Sequence, residues 1–276
     1  MTPAGLGFAQ VDVFTHRPLL GNPLAVVLDA DGLTDARMQA LATWTNLSET
    51  AFLLAPTQPQ ADYRVRIFTP ARELPFAGHP TLGSCHAWLN AGGIPKSDPI
   101  IQQCAAGLIR IRQQAGRLAF AAPQIEITPV NDETLARIAA ALRIPPVAIR
   151  AARHLGAGLA WTGVLLADRA AVLAVKPDFG AMGTLDIGII GPGNGDTQFE
   201  VRGFAPGDGI PEDPVTGSLN AALAIWLIGA GLAPPHYIAA QGTCIGRAGR
   251  VHIAQSGLDI WVGGDAVTCI SGTIML

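Results

Sequence analysis

One segment of this chain occurs twice. The first copy reads Val65-Arg-Ile-Phe-Thr-Pro-Ala-Arg-Glu-Leu-Pro75 and the second Val201-Arg-Gly-Phe-Ala-Pro-Gly-Asp-Gly-Ile-Pro211. Val, Arg, Phe, Pro and the closing Pro coincide at constant offset. Each copy then runs into a turn rich in Thr, Gly and Ser, Gly78–Ser84 in one and Pro214–Ser218 in the other. Each turn opens an apolar stretch of helical character containing one tryptophan, Trp88 or Trp226, and each stretch ends at glycines, Gly92 and Gly93 or Gly229 and Gly231. A few matching residues arise by chance; a match in both the motif and the element after it is much harder to reach that way. The repeat therefore predicts two homologous halves, each with mixed strands around one central helix. The start of a helix carries unpaired N–H groups and partial positive charge. If the halves face each other, both helix starts can point into one cleft, a setting for a carboxylate or a developing enolate.

At 276 residues the chain has room for one large domain or two of ordinary size and for a core that needs no disulfide or metal staple. Its formal net charge of −3, with no cluster of Lys or Arg, argues against a nucleic-acid partner. The four cysteines, Cys85, Cys104, Cys244 and Cys269, are widely spaced and form no CxxC pair, so buried free thiols are expected rather than a metal site. The segment Met1–Gln10 lacks the basic and apolar runs of a signal peptide, and the longest apolar stretch, Ala221–Ala233, is too short to span a bilayer. A cytoplasmic protein that does not engage membrane is expected.

Alternation and turn residues predict strands at Ala9–Phe14, Leu24–Leu28, Ala51–Ala55, Tyr63–Phe68, Ile100–Cys104, Leu108–Gln113 and Arg117–Ala121. Thr34 is a plausible N-cap for a helix running to about Thr45, and Thr81–Leu89 reads as a buried helix. The Pro-containing, mostly polar stretch Pro123–Asn131 is the expected boundary, which gives a first half over 1–125 and a second over 126–265. The last strand, within 266–276, is expected to return to the first half. In the second half, a helix is predicted at Asp132–Ala141 and another at Ser218–Gly229. Strands are predicted at Trp161–Leu166, Ala171–Val175, Gln198–Gly203, Gly249–Ala254, Leu258–Val262 and Ala266–Ile270.

Three segments carry candidate chemistry. Glu49 stands between a helix end and an apolar strand; a lone Glu in such a place is most often a solvated turn carboxylate. Its neighbours Leu47, Ala51 and Phe52 point instead to partial burial, which raises a carboxylate pKa and suits an acid or base near neutrality. Gly78 and Pro80 flank His79 at a helix start, where the imidazole can bond a backbone carbonyl, carry a proton or contact substrate. In the second half Glu212-Asp213-Pro-Val-Thr216-Gly217-Ser218 occupies the equivalent place. Asp213 and Ser218 can serve as helix caps there, and a cap stands beside the anion-binding end.

Taken together, Val11–Phe14 with Gly21-Asn22-Pro23, Asn46–Phe52, Arg66–Gly83, Ile210–Ser218 and the glycine-rich C-terminal strands around Val262–Gly264 and Gly272 resemble the PhzF-like family, named for an isomerase of phenazine biosynthesis. The resemblance spans nearly the whole chain in the right order. It implies an α+β, diaminopimelate-epimerase-like fold of two pseudo-symmetric halves, each a β-barrel around a central helix. It also implies an isomerase that needs no cofactor or metal and acts on a small carboxylated substrate, with assembly as a homodimer. The family's catalytic Glu, His and Asp match Glu49, His79 and Asp213; its substrate-binding positions match Gly78, Thr216, Gly217 and Ser218. Racemases of the same fold carry a Cys at the start of each central helix. Neither Ala77–His79 nor Asp213–Val215 contains one, and Cys85 falls later in its helix, so a single-base proton shift fits better than two-thiol racemisation. Racemase or epimerase chemistry with Glu49 and a second acid, and a non-catalytic small-molecule-binding protein, are the competing readings.

Overall fold

The computed structural model describes residues 5–114, 116–156 and 161–276, and divides into two compact units, Met1–Ala121 with Gly263–Leu276, and Ala122–Val262. The first 121 residues supply β1 (Leu6–Val13), β2 (Asn22–Val27), α1 (Asp35–Thr45), β3 (Glu49–Leu54), β4 (Tyr63–Phe68), β5 (Glu73–Leu74), α2 (Gly78–Asn90), β6 (Ile100–Cys104), β7 (Gly107–Gln114) and β8 (Arg117–Ala121). Then follow β9 (Glu126–Pro129), α3 (Asp132–Leu142), β10 (Ala151–Gly156), β11 (Trp161–Leu165), α4 (Arg169–Ala174), α5 (Phe179–Met182), β12 (Asp186–Pro192) and β13 (Phe199–Ala205). The chain ends with β14 (Ile210–Asp213), α6 (Gly217–Gly229), β15 (His236–Gln241), β16 (Gly249–Ser256), β17 (Asp259–Gly264) and β18 (Ala266–Ile274). This is a mixed α/β fold dominated by sheet. Among the described residues no helix is long and apolar enough to cross a membrane.

The two units use the same ladder grammar. In the first, β1 and β2 are antiparallel, β2 and β3 parallel, β3 and β4 antiparallel; β4 then pairs antiparallel with β5 and parallel with β6, and β6 pairs antiparallel with β7. In the second, β10 and β11 are antiparallel, β11 and β12 parallel, β12 and β13 antiparallel; β13 pairs antiparallel with β14 and parallel with β15, and β15 pairs antiparallel with β16. Each parallel step needs a crossover: α1 precedes β3 and α2 precedes β6 in one unit, and α4 with α5 precedes β12 and α6 precedes β15 in the other. The outermost partners differ only in where they come from. β18, from the C-terminal end of the chain, runs antiparallel to β1, and β9, from just before α3, runs antiparallel to β10. The ladders of each unit form an open path among the described residues.

In the first unit α2 packs against β1, β2, β3, β8 and β18. Gly78 through Cys85 are buried without interruption, as expected of a helix that is apolar on every side. Gly83 lets it sit close to β2, because a Cβ there would stand 2.6 Å from Leu24 Cδ2. Fully burying side chains such as Leu24 and Leu82 contributes roughly 1.5–3 kcal/mol each. In the second unit α6 packs against β10, β11 and β16.

Several expectations need correction. The apolar run Ala171–Val175 is part of a short helix, α4, and not a strand; Asp168 caps it by accepting the Ala171 amide at 2.9 Å. Five apolar residues fit either element by periodicity alone, and the cap decides. The boundary stretch Pro123–Asn131 holds a strand, β9. Both central helices begin earlier than predicted, α2 at Gly78 and α6 at Gly217, which puts His79 in a first helical turn. Thr34 does cap α1, accepting from the Arg37 amide.

Candidate active-site residues

In the first unit the arrangement starts from Asp12, buried near the end of β1. Its Oδ2 accepts the amides of Leu20 at 2.9 Å and Gly21 at 3.0 Å. Gly21 has no space for a side chain, since a Cβ would fall 2.1 Å from the Val13 carbonyl oxygen. The pinned turn delivers Asn22 as the first residue of β2. Asn22 is fully buried, with Nδ2 at 3.3 Å from His79 Nδ1 and Oδ1 accepting the Ser48 hydroxyl at 3.3 Å. Asn46, in left-handed conformation, ends α1 and turns the chain so that Glu49 opens β3 in register with Leu24. Glu49 Oε2 stands 3.6 Å from His79 Nε2, and the Glu49 side chain is 13% exposed. The sequence-based expectation of partial burial is met.

Burial holds the His79 imidazole neutral, lowering its pKa to about 3; a hydrogen bond with the Pro23 backbone opposes this weakly. At 3.6 Å the Glu49 carboxylate is beyond good hydrogen-bond distance and does not offset the desolvation. Asn22 Nδ2 faces one ring nitrogen, Nδ1, and the Glu49 carboxylate faces the other, Nε2. The ring is then a polar neighbour of the carboxylate and not its counter-ion. The N-cap position of α2 is Ala77, which has no side-chain cap to offer the first-turn amides of Gly78 and His79.

In the second unit Asp213 ends β14, and Thr216 is the N-cap residue of α6. The Thr216 side chain makes no cap bond; its hydroxyl donates to Asp213 Oδ2 at 2.5 Å. Ser218 lies within the first turn, and its Oγ accepts the Trp161 indole N–H at 3.3 Å. Ser218 lies inside the helix and not at its cap, which is Thr216. Gln241, at the end of β15, ties this turn together. Its Oε1 accepts from the Thr216 amide at 3.0 Å and from Asn220 Nδ2 at 2.8 Å. Its Nε2 donates to Thr216 Oγ1 at 2.9 Å and to the Asp213 carbonyl at 3.2 Å.

Residues 11–272 match the family described as phenazine biosynthesis-like protein. The chain belongs to that family. A fission-yeast relative (Schizosaccharomyces pombe), antisense-enhancing sequence 1, is 36% identical, covering 96% of this chain and 97% of the relative. The trans-2,3-dihydro-3-hydroxyanthranilate isomerase of Pseudomonas aeruginosa is 33% identical over 91% of this chain and 90% of its own length. Among solved structures, a phenazine biosynthesis PhzF family protein of Enterococcus faecalis superposes with a TM-score of 0.85 at 28% identity, covering 99% of this chain and all of that one. The resemblance read from the motifs is borne out at the level of family.

Each unit of this family member thus gathers its own set of the residues singled out from sequence: Glu49, Gly78 and His79 in one, Asp213, Thr216, Gly217 and Ser218 in the other. Asn22, Ser48, Gln241, Asn220 and Trp161 complete the polar groups. Asn22 lay in a matching motif but carried no role of its own, and a single Gln or Asn in a strand or apolar helix gives no short-range signal. Burial raises the Cys85 thiol to about 12, which leaves it inert within α2. Two other thiols depart from the expectation of burial: Cys244 is exposed and Cys269 partly so. Among the described residues no group of three or more His, Cys, Asp or Glu is placed to hold a metal ion.

Proposed function

We propose that this protein is an isomerase that moves a proton within a small carboxylated substrate, with Glu49 as the group that takes the proton from carbon and returns it at another position. The observation that carries this reading is the Glu49 carboxylate, only 13% exposed and 3.6 Å from a buried, neutral imidazole. A carboxylate with little water around it is a stronger base towards carbon than a solvated one, and a nearby N–H can steady the charge it sheds and regains. His79 and Asp213 orient the substrate, and Gly78, Thr216, Gly217 and Ser218 bind it through first-turn amides and the Ser218 hydroxyl. The reaction needs no cofactor. The inert Cys85 thiol supports a single-base proton shift over a two-thiol racemisation. The proposal extends to architecture. In it the strands of the first unit curl around α2 as a barrel whose path stays open, supported by α2 touching β18 and β1 at one end of the path and β8 at the other. The protein is further proposed to be a homodimer, which light scattering on the purified protein checks.

The substrate of the Pseudomonas relatives, trans-2,3-dihydro-3-hydroxyanthranilate, is the first to offer. Turnover in D2O should place deuterium on the product carbon. Glu49→Gln is nearly isosteric but cannot accept a proton, so turnover should fall by about 10²–10⁴-fold, with the fold intact by circular dichroism. His79→Ala should cost activity less than Glu49→Gln, and Asp213→Asn tests whether that carboxylate acts as a charge. If Glu49→Gln exchanges the substrate C–H with solvent at the wild-type rate, Glu49 is not the base.

A further inference from the structure

The hydrogen bonds around Gln241 have only one consistent direction. The Thr216 amide can only donate, so the Gln241 side-chain atom 3.0 Å from it must be oxygen. The Asp213 carbonyl can only accept, so the atom 3.2 Å from it must be the nitrogen. Two backbone groups thus lock the amide against a flip. With Nε2 identified, its 2.9 Å contact to Thr216 Oγ1 makes that hydroxyl an acceptor from Gln241. The hydroxyl has one proton, and its other close partner is Asp213 Oδ2 at 2.5 Å. The proton therefore points at the carboxylate. The distance falls in the range of hydrogen bonds from a hydroxyl to a charged oxygen.

The first unit shows what the same parts do when no carboxylate is at stake. There Gln102, on β6, donates to Thr81 Oγ1 at 3.0 Å, but the Thr81 hydroxyl passes its proton to the Ala77 carbonyl at 2.9 Å. The Gln102 oxygen accepts from the Tyr63 hydroxyl at 2.9 Å. That chain begins on a core tyrosine and ends on the backbone. The one in the second unit ends on Asp213.

We infer that Gln241 is a positioning residue of the isomerase. By fixing the direction of the Thr216 hydroxyl it holds the Asp213 carboxylate in one orientation as a hydrogen-bond acceptor, and by binding the Thr216 amide it holds the start of α6. The inference rests on the proposed function for its kinetic consequence, though not for its geometry. Two substitutions separate the two tasks. Gln241→Glu keeps an acceptor for the Thr216 amide and for Asn220 but, as a carboxylate, cannot donate to Thr216 Oγ1. The hydroxyl is then free to turn to residue 241 and release Asp213. Gln241→Leu removes both tasks.

The test is steady-state kinetics on trans-2,3-dihydro-3-hydroxyanthranilate together with crystal structures of both variants at neutral pH. For Gln241→Glu the expected result is a fall in kcat of about tenfold or more, with KM held within about threefold, and a Thr216–Asp213 contact lengthened beyond hydrogen-bond distance. For Gln241→Leu, kcat falls and KM rises as well. A Gln241→Glu structure in which Thr216 still donates to Asp213, or a kcat within twofold of wild type, overturns the inference. If the wild-type protein does not turn this compound over, the functional reading loses its first test while the crystal structures still decide the role of Gln241.

Discussion

The same arginine appears in both copies of the repeat, and the two units treat it differently. Arg66, on β4, makes a two-pronged ion pair with Glu73, each contact 2.7 Å, and reaches Asp35 at the start of α1 at 2.6 Å. Arg202, on β13, makes the same two-pronged pair with Glu212, each contact 2.9 Å, and reaches the Val172 and Val175 carbonyls at the end of α4 at 3.2 and 2.8 Å. Each guanidinium also lies over the phenylalanine two residues on, Phe68 or Phe204. In both units, then, one arginine fastens the central strand to the helix of the parallel crossover. The side-chain exposures differ, 24% for Arg66 against 4% for Arg202. A clamp open to water is screened and replaceable. A dry clamp leaves a buried charge behind when either partner goes.

That contrast sets the largest expected effect on stability. Arg202→Ala should destabilise the protein by about 3–5 kcal/mol, because Glu212 would remain buried without its partner. Arg66→Ala should cost roughly 0–1 kcal/mol, since water takes over at Glu73 and Asp35. Urea unfolding of the two variants checks this. Equal losses would break the comparison. A double replacement of Arg202 and Glu212 by apolar residues of similar volume should recover much of the loss, which sharpens it.

The next effect depends on pH. At the same offset as His79 the second unit has Val215, fully buried. Only the first unit therefore carries a titratable ring at this place. In the folded protein His79 resists protonation down to about pH 3, whereas its unperturbed value is 6.5. Its stabilising contribution is fully present above pH 6.5 and is lost as the pH falls towards 3, because the unfolded chain binds the proton that the folded one excludes. The slope is at most about 1.4 kcal/mol per pH unit, so this group should remove about 2–3 kcal/mol between pH 7 and pH 4.5. His79→Gln abolishes that dependence. The stability gap between wild type and His79→Gln should narrow by this amount over the interval, and a gap that stays constant would show that the ring is not held neutral by the fold.

What was legible in the sequence follows from distance along the chain. The copies of the repeat and the short segments around Glu49, His79 and Asp213 are each contiguous and can be read locally, whereas both central helices start earlier than their apolar runs, at Gly78 and Gly217. The two clamps were only half legible. Their arginines align, but the acid comes from Glu73, seven residues on, in one unit and from Glu212, ten residues on, in the other. Gln241 was invisible for a similar reason: it is 25 residues from Thr216, and only the parallel pairing of β13 and β15 brings it back to the start of α6. The helix α4 was misread because its five apolar residues carry no period of their own.

The smallest expected effect is a coupling between two residues where a central helix meets its sheet. Gly83 in α2 and Leu219 in α6 occupy the same place in the repeat. In the first unit the glycine is on the helix and the leucine on the strand, with Leu24 Cδ2 at 2.6 Å from where a Cβ on Gly83 would be. In the second the partner lies one strand over, since β12 corresponds to β3 and not to β2. Leu219 is on the helix and the glycine on β12, with Leu219 Cδ1 at 2.2 Å from where a Cβ on Gly188 would be. At each contact one large and one small residue meet, as close packing of a buried helix on its sheet requires. Gly188→Ala should therefore cost about 1–3 kcal/mol, since Leu219 is fully buried and has little room to move. Leu219→Ala alone should cost about 2–5 kcal/mol through the cavity it leaves. The double variant should be more stable than the sum of the two losses allows, because the added methyl group enters the space the leucine vacated. A double-mutant cycle by urea unfolding measures that coupling, expected at about 0.5–3 kcal/mol. Strict additivity would mean that Gly188 and Leu219 do not share the space.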